Sequence, residues 1–273
     1  MCASVIVALK KITITETRPK IGGNMEIENK KQKKIIRIGV TTVVVVLILI
    51  IIGLLILKYE VEGETNMPFQ LSKVMVVSTA EGIQKTDATL KWDMNVVQNN
   101  DIYLEIAKNK NYRQTEIIDR IVLDNFQINK EPEKGSLTIY RPTTEENKTY
   151  SSSEDMVITQ ELIYTGSEES DLKNLKVANQ GGMILLRYTN KDISNYQSNE
   201  DDEITHDGTL LKKTGINIEQ VKTQISFDIT IYLVSEKSYK ATITLDLPVG
   251  DITEEGTSHM EKKDCTDIIF KRQ

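Results

Sequence analysis

The chain has 273 residues, with 34 Lys or Arg and 40 Asp or Glu, and its formal net charge at pH 7 is −6. An acidic balance of this kind argues against binding nucleic acid through simple electrostatics. The two cysteines, Cys2 and Cys265, are too few for a disulfide framework.

Residues 1–37 are predicted to form a basic cytoplasmic tail, with nine Lys or Arg against three Glu. Met25 opens a compact, lysine-rich sequence that runs to Arg37, whereas residues 1–24 show no clear periodicity or targeting signal. Residues 22–24, just before Met25, match what a purine-rich ribosome-binding site would encode. We therefore expect Met25 to be the natural start and residues 1–24 to reflect a misplaced one.

Residues 38–57 are predicted to form a transmembrane helix. These twenty residues carry no charge, and sixteen of them are Val, Ile or Leu. At about 1.5 Å per residue the helix covers roughly 30 Å, the thickness of the hydrocarbon core of a bilayer. A cleaved signal peptide has a shorter apolar region and a small-residue cleavage site, and a buried core helix is also a poorer interpretation. The segment is therefore predicted to remain in the lipid bilayer as a signal-anchor.

The charges that flank the span predict its orientation. Five basic residues lie between positions 30 and 37, whereas the carboxyl side turns acidic at Glu60, Glu62 and Glu64. The positive-inside rule then places the amino terminus in the cytoplasm. Residues 58–273, with 25 basic and 37 acidic side chains, are expected outside the cell membrane, beginning with an acidic stalk over residues 58–67.

Two hairpins are the clearest predictions in the remainder. Apolar and polar residues alternate over 88–96 and again over 102–106, a period of two that is typical of half-buried strands. The polar run 98–101 between them predicts a turn, so residues 88–107 would form a hairpin with Trp92 on its buried face. The same alternation predicts a second hairpin over residues 225–247, with its turn at 235–238.

Several shorter elements complete the predicted fold. Further strands are expected near residues 69–78, 118–126, 136–140, 156–164, 183–189 and 268–270, and brief helices over 171–177 and 216–221. The most polar interruption is a loop over residues 192–207. Many short strands separated by polar turns indicate a mainly β fold. We predict an extracellular antiparallel β-sandwich over residues 68–273, as one domain rather than two small ones.

An acidic loop is the best sequence candidate for a site of any kind. Calcium takes six to eight oxygen ligands, and the weak candidates for them are Asp201, Asp202, Glu203 and Asp207. The loop lacks the alternating aspartate pattern of a calcium-binding hand, and a solvated loop is the commoner explanation. His206 and His259 have no second ligand at zinc spacing. No other metal, cofactor or catalytic residue is predicted, and the protein is expected not to be an enzyme.

Two further residue sets leave alternatives open. Tyr140, Tyr150, Tyr164 and Tyr188 could form a platform on which a ligand stacks, although packing at the rim and in the core is the more common role. Cys265 is expected to be an inert buried thiol, and the alternative is a disulfide between two chains.

Three stretches carry a resemblance to known proteins. They are residues 67–73 (MPFQLSK), the pair Lys91 and Trp92, and residues 98–101 (QNND), all after a lysine-rich start and a Val/Ile-rich span. In these features the chain, over residues 25–273, resembles single-pass membrane proteins of Gram-positive, firmicute-type bacteria that carry no assigned activity. The resemblance implies a bacterial cell envelope and no particular site.

Three functional hypotheses follow. The first is a non-catalytic, membrane-anchored envelope protein whose sandwich binds or scaffolds an envelope protein or wall component. The second is a sensor or regulator, which would need a partner because residues 25–37 are too few for a cytoplasmic output domain. The third is a wall-directed hydrolase with an unrecognised set of catalytic residues. Fold alone does not choose among them, because sandwiches host unrelated functions.

Overall fold

The structure is a computed structural model that describes residues 25–65, 67–143, 149–151, 153–166, 175–199 and 209–273. Contacts divide the chain after Ile56 into an amino-terminal unit and a β-rich unit, Leu57–Gln273. Each unit is described by itself below.

The first element is helix α1, Met25–Thr65, of 41 residues. Its stretch Lys33–Leu57 is long and apolar enough to cross a membrane, and none of it is buried within the protein. Thr41 and Thr42 donate their hydroxyl hydrogen bonds to the carbonyls of Arg37 and Ile38, so these polar side chains are satisfied within the helix itself. The predicted span therefore lies entirely in one helix, which also continues into both polar flanks.

Eleven strands are present among the described residues of the β-rich unit. The five-stranded sheet has the order β10-β1-β2-β7-β4, and its strands are β1 (Phe69–Gln84), β2 (Trp92–Lys108), β4 (Ser136–Tyr140), β7 (Gly181–Ser198) and β10 (Thr257–Lys262). The six-stranded sheet has the order β11-β9-β8-β3-β5-β6, and its strands are β3 (Ile118–Lys130), β5 (Leu162–Gly166), β6 (Leu175–Val177), β8 (Thr223–Leu233), β9 (Ser238–Leu247) and β11 (Lys271–Arg272). All these pairings are antiparallel except that of β5 with β6.

The two sheets pack face to face around the main core, which confirms the predicted β-sandwich. The five-stranded sheet contributes alternate residues such as Ile102, Leu104 and Leu186, and the opposite sheet contributes residues such as Phe227 and Ile229, all at most 1% exposed. Because side chains on a strand alternate between its faces, the residues between these point to the outer face of each sheet.

A second, smaller core packs against the five-stranded sheet and is separate from the main core. It forms where Met94 and Val96 of β2 meet three one-turn helices, namely α2 (Leu210–Lys213), α3 (Ile218–Val221) and α4 (Ile252–Glu255). Leu210 and Ile252 are at most 1% exposed there. Helix α3 starts with a capping box between Asn217 and Gln220, which satisfies free amides of its first turn.

The predicted hairpin over residues 88–107 is wrong, because residues 98–101 are not a turn. They lie inside the continuous 17-residue strand β2, which pairs with β1 from Met94 to Lys108. Gln98 and Asn100 are completely buried, and Asn100 accepts a hydrogen bond from the Ser78 hydroxyl at 2.7 Å and donates one to the Tyr188 carbonyl at 3.2 Å. Buried polar groups are stable when they are paired in this way, so a polar run can continue a strand.

The other predicted elements have mixed outcomes. The hairpin over 225–247 is confirmed as β8 and β9, and the helix near 216–221 is confirmed as α3. The predicted helix over 171–177 is wrong at 175–177, which form β6, and its first four residues lie outside the described part. The predicted strand over 156–164 begins only at Leu162, after a 3₁₀-helix at Glu154–Met156. The last strand is β11, directly after the predicted 268–270 segment, and β10 was not predicted.

Candidate functional site

The sequence candidates for metal binding do not form a described site. Asp201, Asp202, Glu203 and Asp207, together with His206, lie outside the residues that the structure describes. His259 is exposed on the edge strand β10. Within the described ranges, no group of three or more His, Cys, Asp or Glu is placed to hold a metal ion.

A cavity on the outer face of the five-stranded sheet brings polar side chains together. Its volume is about 260 Å³, and it is called the Arg187 cavity below. Strands β1, β2, β4 and β7 contribute most of its lining, and Tyr150 and Ser151 contribute the rest. The lining residues are Glu81, Ile83, Val97, Asn99, Tyr140, Tyr150, Ser151, Arg187, Thr189, Lys191 and Asp192.

The central polar feature is an ion pair between neighbouring strands. Asp101 and Arg187 stand directly opposite each other in β2 and β7. The Arg187 Nε and Nη2 atoms donate to the two carboxylate oxygens of Asp101 at 2.5 and 2.8 Å. Burial alone would lower the pKa of Arg187, but the hydrogen bond to Asp101 and the attraction of nearby negative charge, mainly that of Asp101, together outweigh burial and raise that pKa. The guanidinium is therefore held charged and in a fixed plane.

A tyrosine from the segment after β4 stacks on this ion pair. The ring centre of Tyr150 lies 4.2 Å from the guanidinium carbon of Arg187, within the range of a cation–π contact. Burial raises the pKa of Tyr150, so its hydroxyl stays protonated. The stack holds the Tyr150 ring over the outer face of β7.

A second tyrosine, Tyr140, also lines the Arg187 cavity. Tyr140 ends β4, stands opposite Arg187 in register and is only 2% exposed. The Lys191 Nζ lies 5.0 Å from its ring centre. The hydroxyls of both Tyr140 and Tyr150 are buried and have no hydrogen-bond partner in the described part of the chain. A buried polar atom without a partner is unusual in a folded protein, so these two hydroxyls have hydrogen-bonding capacity that the described residues leave unused.

A β-bulge in β7 places two charged side chains at the cavity. The pairing of β2 with β7 shifts between Val96 and Gln98, where Val97 faces the three residues 191–193. At this point Asp192 adopts a left-handed backbone with φ of 55°. Successive residues of a regular strand point to opposite faces, yet Lys191 and Asp192 both line the cavity. The bulge therefore redirects one of them.

The floor of the cavity is closed by a neutral pair. The Thr189 hydroxyl donates to Asn99 Oδ1 at 2.8 Å, and both residues are at most 6% exposed. Glu81 and Ile83 come from the end of β1, and Ile83 is 49% exposed at the rim. The lining thus combines one apolar rim residue, two phenol hydroxyls and balanced charges.

The tyrosines named in the sequence fall into two groups. Core packing is confirmed for Tyr164 and Tyr188, which are at most 3% exposed in the main core. Tyr140 and Tyr150 instead line the Arg187 cavity. Sequence reasoning missed Arg187 itself, although an arginine within the apolar stretch 183–188 was a usable signal for a paired charge.

Comparisons of the chain with protein-family models, with curated proteins and with solved structures gave no match.

Proposed function

We propose that this protein is a non-catalytic, single-pass membrane protein of the bacterial cell envelope, and that its β-sandwich binds another envelope component at the Arg187 cavity. The observation that carries the proposal is the pair of buried hydroxyls of Tyr140 and Tyr150, which have no partner among the described residues, beside a fixed ion pair. Such a site can bind by hydrogen bonding with little rearrangement, because its charged groups are already held in position.

The membrane anchor supports this role. The stretch Lys33–Leu57 is long and apolar enough to span a bilayer, and the β-rich unit has its own core. Under the positive-inside rule, the basic residues between positions 30 and 37 keep the amino terminus in the cytoplasm. The sandwich would then face the outside, where wall components and other envelope proteins are available to it.

Labelling of intact cells tests the orientation. In a background with Cys2→Ser and Cys265→Ser, Glu133→Cys places a thiol at an exposed position after β3, and Lys34→Cys places one before the span. A membrane-impermeant maleimide should label Glu133→Cys in intact cells and Lys34→Cys only after permeabilisation. The reverse pattern would overturn the proposed orientation.

Site-specific crosslinking in living cells tests the binding role. A photo-crosslinking amino acid in place of Ile83 sits at the cavity rim, and the same amino acid in place of Ile163 sits on the other sheet. The Ile163 position is a matched control for Ile83 because both side chains are exposed, Ile83 at 49% and Ile163 at 38%. The Ile83 probe should give a crosslinked product with an envelope component that the Ile163 probe does not. Equal products from both positions, or none, would contradict binding at the cavity.

A further inference from the structure

We infer that the ligand of the Arg187 cavity is a neutral, hydroxyl-rich sugar unit of a wall polysaccharide. This inference rests on the proposed function and names the chemistry of its ligand. Four properties of the cavity support it: its size, its charge balance, its two phenol hydroxyls and its apolar rim.

Size limits the ligand to about one ring. Pockets for drug-sized ligands usually have volumes of about 300–1,000 Å³, and this cavity, at about 260 Å³, lies just below that range. A single sugar ring with its substituents fits such a space, and the rest of a polymer chain would leave through the open side. The cavity therefore suits one unit of a repeating polymer.

Charge argues against an anionic ligand. The carboxylates of Glu81 and Asp192 balance the cations of Arg187 and Lys191 in the lining, and Arg187 already engages both oxygens of Asp101. Residues 58–273 carry 37 acidic and only 25 basic side chains. A polyanion such as a phosphate-rich wall polymer would meet repulsion over much of this unit.

Hydrogen bonding favours a polyhydroxylated ligand. The phenol hydroxyls of Tyr140 and Tyr150 can each donate one hydrogen bond and accept others, and neither has a partner among the described residues. Sugar hydroxyls both donate and accept, so they can satisfy both phenols of the lining. Because burial keeps Tyr150 protonated, its donor is available at any physiological pH.

The rim completes the match. A sugar ring presents C–H groups on its faces and hydroxyls at its edge. Ile83 is 49% exposed at the cavity rim, and it can cover the C–H face while the two phenols bind the edge. Small-ligand sites generally combine apolar walls with a few placed polar groups in this way.

The test uses the full chain in phosphatidylcholine nanodiscs. Purified firmicute wall material, stripped of its phosphate polymers, is sedimented with the protein, and the free tetramer of β-1,4-linked N-acetylglucosamine is the competitor. We expect the protein to sediment with the wall and to be released by the tetramer but not by poly(glycerol phosphate). Tyr140→Phe and Tyr150→Phe should each weaken binding at least tenfold.

Tyr188→Phe is the matched control. Tyr188 also has a buried hydroxyl without a described partner, but it lies in the main core and not at the cavity. It should bind the wall like the unmodified protein. None of the three substitutions removes a described hydrogen bond, so thermal unfolding should be unchanged and a loss of binding cannot be attributed to misfolding.

The outcomes distinguish failure of the sugar inference from failure of the proposed binding role. Sedimentation that resists the tetramer and both cavity variants would overturn the sugar inference and leave a binding role at another surface. Release by poly(glycerol phosphate) alone would also overturn it, in favour of an anionic ligand. Absence of wall binding, together with a protein crosslinked at position 83, would replace the sugar by a protein partner.

Discussion

The hydroxyl of Tyr164 donates a hydrogen bond to the carbonyl of Leu185 at 2.7 Å and accepts one from its amide at 2.9 Å. Leu185 lies in β7 before the stretch 187–191 that pairs with β4. One phenol from the six-stranded sheet therefore occupies the place of a neighbouring strand at this edge of the five-stranded sheet. The contact ties the two layers together by hydrogen bonds as well as by packing.

Tyr164→Phe should destabilise the protein by about 1–3 kcal/mol, because it leaves the partly buried amide and carbonyl of Leu185 without this partner. Tyr188→Phe should change the free energy of unfolding much less, since the Tyr188 hydroxyl has no described partner to lose. Urea unfolding of the purified protein in detergent, followed by tryptophan fluorescence, measures both. Equal losses for the two variants would show that the Leu185 contact contributes nothing.

Asp101 and Arg187 should be energetically coupled. A double-mutant cycle with Asp101→Asn and Arg187→Gln should give a coupling free energy of about 1.5–3 kcal/mol, because the pair makes two charge-assisted hydrogen bonds and is largely shielded from water. The exposed pair Lys212 and Glu254, with an N···O distance of 2.7 Å, is the control. Its cycle should give about 0.2–1 kcal/mol, and a similar value for both pairs would contradict the prediction.

Acidification should destabilise the protein partly through Glu116. Burial alone would raise the pKa of Glu116, but hydrogen bonds from Lys237 at 2.7 Å and Ser235 at 2.6 Å lower it below the ordinary value. A folded-state pKa below the unfolded value means that Glu116 stabilises the protein above about pH 4.5 and that this contribution is lost as the pH falls through the folded pKa.

Glu116→Gln should therefore lower stability at pH 7 and flatten its decline below pH 4.5. The expected loss at pH 7 is about 1.5–3 kcal/mol, the usual value of hydrogen bonds to a charged group. Glu161→Gln, at an exposed position, should leave the pH profile of unfolding unchanged. If Glu116→Gln left the pH profile of unfolding unchanged, Glu116 would not contribute to the pH dependence of stability.

Gly181 should tolerate alanine poorly. Its φ is 106°, and an added Cβ would lie 2.3 Å from the Ile106 carbonyl oxygen in the paired strand. We expect Gly181→Ala to cost about 3 kcal/mol or more, from backbone strain and steric overlap together. Gly215 also has a positive φ, of 75°, but nothing lies within 4 Å of the added atom. Gly215→Ala should cost only about 1–2 kcal/mol. The difference between the two variants in the free energy of unfolding then measures the cost of the steric overlap at Gly181.

Cys265 should react slowly with thiol reagents. It is 7% exposed, its Sγ lies 3.5 Å from the Lys262 carbonyl, and burial raises the pKa of its thiol. In a Cys2→Ser background, a thiol reagent should modify it at an appreciable rate only after denaturant is added. Non-reducing electrophoresis should show no dimer, and a band that Cys265→Ser removes would favour the alternative of pairing between chains.

Alternation of apolar residues predicted the hairpin of β8 and β9 because both strands bury one face against a continuous core. The same rule failed at residues 98–101. The Asn100 amide in this run is satisfied by the Ser78 hydroxyl and the Tyr188 carbonyl, and both residues are distant in the sequence. A local pattern contains no information about such distant partners, so the polar run predicts a turn.

The candidate site was predictable only in part. Tyr140 and Tyr150 were named from the sequence, but nothing local separates them from the core tyrosines Tyr164 and Tyr188. The pairing of Asp101 with Arg187 depends on the register of β2 against β7, and the bulge opposite Val97 sets where that register shifts. Because the polar run 98–101 predicts a turn, the sequence alone does not place Asp101 opposite Arg187.

The pairing of β1 with β10 determines when the sandwich can be completed during synthesis. The first strand of the β-rich unit pairs with residues 257–262, and the Thr257 hydroxyl donates to the Ser78 carbonyl across 179 residues of sequence. Long-range pairings of this kind slow folding, because a large loop must close before its contacts form. One edge of β1 therefore stays open until residues 257–262 have been made. For a nascent chain, that is a prolonged interval in which an unsatisfied strand is exposed to aggregation.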